Sequence, residues 1–166
     1  MKLKPFGRVA SLLIATLLFA LPTLTAHAQG NTLSICGKAL NSTDNYSDIK
    51  RDGLSAGTIS YDEASKTLTL DNVVLEYNVG GYVPLAAINS GIKDLTIKVI
   101  GTNKVSGNKS AIILSEADAT ITGEGSFELT SSNCMGIYAF GSVVTIKDCN
   151  VKLEGRVGFM GEDPLA

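Results

Sequence analysis

The chain has 166 residues, 45% of them hydrophobic, with 14 basic and 16 acidic residues, one histidine and no tryptophan. A net charge of −2 argues against nucleic acid as a partner, because neutralising phosphates needs a basic face. With His27 as the single imidazole, Ser-His-Asp triads, Cys-His pairs and most zinc sites have little to draw on.

Residues 1–28 read as a secretory signal peptide. Lys2, Lys4 and Arg8 precede an apolar run from Val9 to Leu21, Pro22 breaks it, and Ala26-His27-Ala28 supplies a small-x-small site before Gln29. The 13-residue apolar run is short of the roughly 20 that a bilayer-spanning helix needs, so no membrane insertion is expected after cleavage. The residue directly after the site is Gln29 and not cysteine, which disfavours a lipoprotein. Cleavage removes three basic residues, no acid and the only histidine, leaving 11 Lys/Arg against 16 Asp/Glu, a net −5. The expected location is the periplasm, the cell surface or the medium.

Residues 29–76 read as an N-terminal cap with a β-hairpin and the first coil. Leu33-Ser34-Ile35 opens it as a strand, and Asn41 to Gly57 reads as a polar loop. The alternating runs Thr58–Tyr61 and Thr67–Leu70, joined across Asp62–Lys66, form a hairpin with a five-residue loop. A solenoid end needs such a non-repeating cap.

Residues 77–166 read as coils. Leu95-Thr96-Ile97-Lys98, Ala119-Thr120-Ile121-Thr122 and Val144-Thr145-Ile146-Lys147 write one short strand three times, 24 and then 25 residues apart. A period of this size, built from strands and small turn residues, marks stacked coils. No amphipathic helical pattern interrupts it. The fold class is therefore all-β, a right-handed parallel β-helix (β-solenoid) with coils of about 24 residues.

Alternation within strands assigns faces. Leu95, Ile97, Val99, Ile121, Phe127, Leu129, Ile146, Val151 and Leu153 point inward. Thr69, Thr96, Thr120 and Thr145 form an outward hydroxyl ladder, and Lys104, Glu128 and Lys152 a column of alternating charge that disfavours slipped registers. Cys36, Cys134 and Cys149 are read as small buried residues. Cys134 and Cys149 fall at different corners of one coil, too far apart to bridge. The chain reaches Ala166 in mid-coil; a fragment, a cap made by the last residues with Pro164, or edge-to-edge self-association would each account for it, and the fragment is favoured.

Chemistry is sparse. Asp94 and Asp118 share a repeat position and are the best candidates for the carboxylate pair that a glycosidase needs, but both also fit as turn residues. Asp44, Asn45, Asp48 and Asp52 lie in one loop and could hold Ca²⁺, though their spacing is not that of an EF-hand. The expectation is no catalytic residue, no metal site and no required cofactor. A binding face is easier to defend. Asn89, Ile113, Tyr138 and Phe159 fall one per coil beside the inward Ile88, Ile112 and Ile137. If outward, Tyr138 and Phe159 stack as adjacent rings about 4.8 Å apart, with Phe140 nearby, a surface suited to sugar rings.

The segment Gly57-Thr58-Ile59-Ser60-Tyr61-Asp62 with Lys66-Thr67-Leu68-Thr69-Leu70-Asp71-Asn72, and the later Thr120-Ile121-Thr122-Gly123-Glu124-Gly125-Ser126, resemble bacterial exported β-helical proteins grouped as carbohydrate-binding domain-containing proteins. The resemblance spans roughly residues 33 to 160. It implies an exported solenoid, often one module of a longer protein, and carries no catalytic signature. The expected function is a non-catalytic carbohydrate-binding or adhesive module with a polysaccharide or glycan partner. The alternatives are a structural spacer or protein-interaction solenoid and, behind both, a polysaccharide lyase or hydrolase.

Overall fold

A computed structural model of the chain describes residues 32–41, 43–78 and 86–163. The signal peptide expected at 1–28 and the cap expected around Pro164 lie outside these residues. Fourteen strands and no helix occur among the described residues. They are β1 (Leu33–Ile35), β2 (Lys38–Leu40), β3 (Leu54–Asp62), β4 (Thr67–Tyr77), β5 (Ala86–Ser90), β6 (Leu95–Ile100) and β7 (Thr102–Gly107). There follow β8 (Ser110–Ser115), β9 (Ala119–Thr122), β10 (Ser126–Ser131), β11 (Met135–Phe140), β12 (Val144–Ile146), β13 (Asn150–Glu154) and β14 (Val157–Glu162).

The repeat becomes three coils of three strands each: β6-β7-β8, β9-β10-β11 and β12-β13-β14. Strands from successive coils pair in parallel, so three ladders run along the molecule: β6-β9-β12, β7-β10-β13 and β5-β8-β11-β14. The long β4 serves two of these ladders at once, pairing with β6 through Thr67–Asp71 and with β7 through Val74–Tyr77. The chain is a β-solenoid.

At the N-terminal end parallel pairing gives way to antiparallel pairing. β3 lies against β4, and β1 joins β5 to β2. The hairpin is present with a tighter turn than its sequence suggests: β3 runs through Asp62, and four residues, Glu63 to Lys66, make the connection. The segment read as a polar loop to Gly57 is a strand from Leu54 onward.

The interior is built from in-register columns. Leu68, Ile97, Ile121 and Ile146 stack in one, and Ile35, Ile88, Ile112, Ile137 and Phe159 in another. Each such side chain, fully buried, contributes roughly 1.5–3 kcal/mol. Exposure along the first column runs 0, 0, 1 and 46%, and along the second 0, 0, 0, 0 and 47%. The last coil thus turns its inward face to solvent. Ile146, expected in the core, is exposed for that reason, and Val151 and Leu153 are half-buried.

Corners are set by residues with positive φ. At the first corner these are Asn72 (φ 52°), Gly101 (65°), Gly123 (129°) and Asp148 (56°), one per coil. Asn72 Oδ1 accepts from the Thr102 N–H at 3.1 Å, and a Cβ on Gly101 would come within 2.3 Å of that same oxygen. Beside it sits Asn103, fully buried in the interior. Its Oδ1 accepts from Val73 N–H at 2.9 Å, and its Nδ2 donates to the carbonyls of Ile100 at 2.9 Å and Ser126 at 3.5 Å. One side chain therefore ties three successive coils together.

The charge column forms as expected. Glu128 lies opposite both Lys104 and Lys152, with Nζ to carboxylate distances of 3.3 and 3.2 Å. Hydrogen bonds from Lys152 and then Lys104 hold the Glu128 carboxyl below its ordinary value. The hydroxyl ladder differs in one member: Thr96, Thr120 and Thr145 align with Thr67, while Thr69 lies opposite Lys98. Twenty-nine residues separate Thr67 from Thr96, so β4 enters its ladder two residues earlier than a 27-residue count from Thr69 places it. Asp71 faces Ile100 in the same ladder.

Candidate functional site

The outward side of the β5-β8-β11-β14 ladder carries the aromatic residues singled out from the sequence. Asn89, Ile113 and Tyr138 are in register, one per coil. The fourth member is Met160, not Phe159. Phe159 aligns with Ile137, in the inward column. The corner before β14 is short: Thr130 and Met135 are five residues apart, their partners Glu154 and Val157 only three, so the spacing between partners falls from 24 residues in β10-β13 to 22 in β11-β14. Phe159 lies 21 residues after Tyr138, one short of that spacing, and because side chains alternate it falls on the opposite face. Its ring lies along its own strand, over Gly161. The stacked Tyr138–Phe159 pair is therefore not formed.

The aromatic pair that does form is Tyr138 and Phe140. Two residues apart on β11, they share the outward face with Cα atoms roughly 6.6 Å apart, both half-buried. Phe140 is in register with Ser115 on one side and Glu162 on the other. The Tyr138 hydroxyl donates to Glu162 Oε2 at 2.7 Å, and this bond, ahead of burial, raises the phenol above its ordinary value. The bond fixes the ring across the strand gap. Ile113, 7% exposed, fills the floor between Tyr138 and the half-buried Asn89. The face thus offers two rings, an apolar floor, an amide and a carboxylate. Alternation in β14 carries the signal for Met160 and Glu162, but only once the corner length is known.

The acidic candidates stand apart from this face. Asp94 and Asp118 precede paired strands and border one shallow groove with Thr96, Thr120 and Thr145. Asp118 Oδ1 accepts from the Val143 N–H at 2.8 Å, which is a turn residue's task. Asp94 has a φ of 61°, again a turn conformation. In the N-terminal loop each oxygen donor has a local partner. Asp44 takes the Asn41 amide, Asn45 Oδ1 accepts from the Glu63 N–H, Asp48 pairs with Lys50, and Asp52 pairs with Lys38. Among the described residues no three His, Cys, Asp or Glu side chains converge as a metal-binding group.

A groove of about 570 Å³ lies beside the cap and was not legible in the sequence. It is lined by Asp52, Leu54, Glu76, Tyr77 and Asn78, drawn from the antiparallel β3-β4 pair and its flanks. All three cysteines are free thiols. Cys36 is buried as expected, whereas Cys134 and Cys149 are half-buried at corners. Comparisons of the chain with family models, with curated proteins and with solved structures find no match.

Proposed function

We propose that this chain is a non-catalytic carbohydrate-binding or adhesive module of an exported bacterial protein, akin to the β-helical carbohydrate-binding domain-containing proteins it resembles. The observation that carries the reading is the Tyr138–Phe140 pair. Two rings on one rigid strand, with Asn89, Glu162 and the Tyr138 hydroxyl at their margins, combine apolar faces with hydrogen-bonding edges. That is the chemistry a pyranose needs, an apolar C–H face over a ring and hydroxyls satisfied at the sides. The sheet presents it without a loop that must be ordered on binding, which keeps the entropic cost low.

Affinity electrophoresis through gels containing plant or mucin polysaccharide tests this. One polysaccharide should slow the protein, Tyr138→Ala with Phe140→Ala should abolish the retardation, and Phe159→Ala should leave it intact. Retardation that survives the double substitution removes this site.

The spacer reading draws support from the Lys104–Glu128–Lys152 column and the threonine ladder, both of which serve stacking. It expects a sharp band that no polysaccharide slows. A lyase or hydrolase would instead rest on Asp94 and Asp118, and release of unsaturated or reducing sugars would reveal it.

A further inference from the structure

The groove beside the cap, at about 570 Å³, falls within the range of roughly 300–1,000 Å³ that small-molecule sites occupy. It is bounded by the β1–β2 turn, by the chain from Asp52 to Ser55 and by the end of β4 from Val74 to Asn78. Departures from the regular coil gather around it. The turn consists of Cys36 and Gly37, with φ of 50° and 71°, and no side chain fits at Gly37 beside the Tyr77 hydroxyl. Gly53, at φ 90°, lets the chain close on β4, where the Glu76 N–H donates to its carbonyl at 2.9 Å. Register shifts on either side of Ala56 bend β3 just beyond. Such bulges re-aim side chains and are common beside active sites.

The lining has a chemical bias. Leu54, Val74 and Tyr77 give it apolar walls and one aromatic ring, while its two charged residues, Asp52 and Glu76, are both acids. Lys38 answers Asp52 at 3.1 Å. Glu76 has no such answer: its Oε1 accepts from the Asn78 amide at 2.6 Å, and among the described residues no lysine or arginine pairs with it. The other cations nearby are committed elsewhere. Lys104, in register with Val74, holds Glu128 at 3.3 Å, and Arg51 donates to the carbonyls of Ile35 at 3.1 Å and Lys50 at 2.7 Å. The Ser55 hydroxyl is spent on the Val74 carbonyl at 3.3 Å. The groove therefore offers spare acceptors and an uncompensated negative charge next to apolar surface.

We propose that this groove binds a primary ammonium carried on a short apolar stem, with Glu76 taking the ammonium and Leu54, Val74 and Tyr77 the stem. A carboxylate supplies a charge-assisted hydrogen bond and an aromatic ring attracts the same cation, whereas an anionic ligand meets a like charge. The site lies on the cap and does not depend on glycan binding at Tyr138 and Phe140.

Titration of the ¹⁵N-labelled chain with n-butylammonium, followed by amide chemical shifts, tests it. Saturable shifts are expected at Gly53, Leu54, Ser55 and Glu76, and the equal-length 1-butanol and butyrate should produce none there. Glu76→Gln keeps the shape of the exposed side chain and should weaken binding roughly tenfold or more. Ser55→Lys, at another exposed position, places an ammonium of the chain's own in the groove and should block the ligand with the spectrum otherwise native. Tyr138→Ala with Phe140→Ala should leave the titration unchanged, which separates this site from the glycan face. The proposal is overturned if n-butylammonium gives no saturable shift at these amides, if 1-butanol binds as well, or if Glu76→Gln binds like the wild type.

Discussion

Replacing Asn103 by alanine is the sharpest test of how the coils are held together. Its side chain meets Val73 N–H in the buried interior, and two carbonyls that are partly reached by water. An orphaned buried donor costs roughly 1–3 kcal/mol, and the part-buried carbonyls add less, so the sum is about 2–4 kcal/mol. A domain of this size is stable by about 5–15 kcal/mol, so the loss is a substantial fraction. With a urea slope of roughly 1–3 kcal/mol/M, the midpoint should fall by about 1–2 M. Far-UV circular dichroism during urea titration reads it. Asn103→Leu separates causes, because Phe127 and Val151 fill the same column position in the next coils. Leucine fills the space but leaves the Val73 N–H unpaired, so it should also unfold early. Wild-type stability in the leucine variant would refute the hydrogen-bond argument and leave simple packing in its place.

Glu128→Gln should flatten the acid limb of the stability profile. The folded carboxyl titrates below its ordinary 4.5, so its contribution is present above that value and lost as pH falls through the lowered one. Thermal unfolding across the acid range checks this, and equal slopes for the two proteins would contradict it. Gly123→Ala should lower the melting temperature through a loss of about 1–3 kcal/mol, since φ is 129° and the new Cβ would come within 2.2 Å of the Val99 carbonyl oxygen. An unshifted melting curve would refute that. Burial pushes the Cys36 thiol up to about 11, so in the native protein Cys134 and Cys149 should react with a disulfide reagent while Cys36 reacts only on unfolding. Its stabilising effect is complete below pH 9.0 and declines as pH rises through 11, so Cys36→Ala should show a shallower alkaline decline. Three thiols titrating at one native rate would contradict the assignment.

The coil was legible because its strands repeat in words as well as in spacing: Ile97, Ile121 and Ile146 each follow a threonine and occupy one column. The corners were not, since nothing in Gly155-Arg156 announces that β14 follows its partner by 22 residues where β13 follows by 24. A count of 21 from Tyr138 misses that spacing by one, which puts Phe159 on the wrong face. The count from Thr69 in the longer first coil misses by two, which keeps the face and changes only the neighbour. Asn103 carried a readable sign, having the same parity as the inward Val105, yet its polarity and its neighbours Thr102 and Lys104 suggest an outer surface. The turn roles of Asp94 and Asp118 follow directly from their place before a strand.

The alternating column has a consequence for how such a chain can lengthen. Copying one coil advances the edge by about 4.8 Å and leaves hydrophobic columns and threonine ladders undisturbed, because those are indifferent to number. The column Lys104–Glu128–Lys152 is not indifferent: one duplicated coil would set two like charges side by side, whereas two duplicated together would preserve the alternation. Growth of this solenoid therefore has a parity, with a natural increment of roughly 9.6 Å.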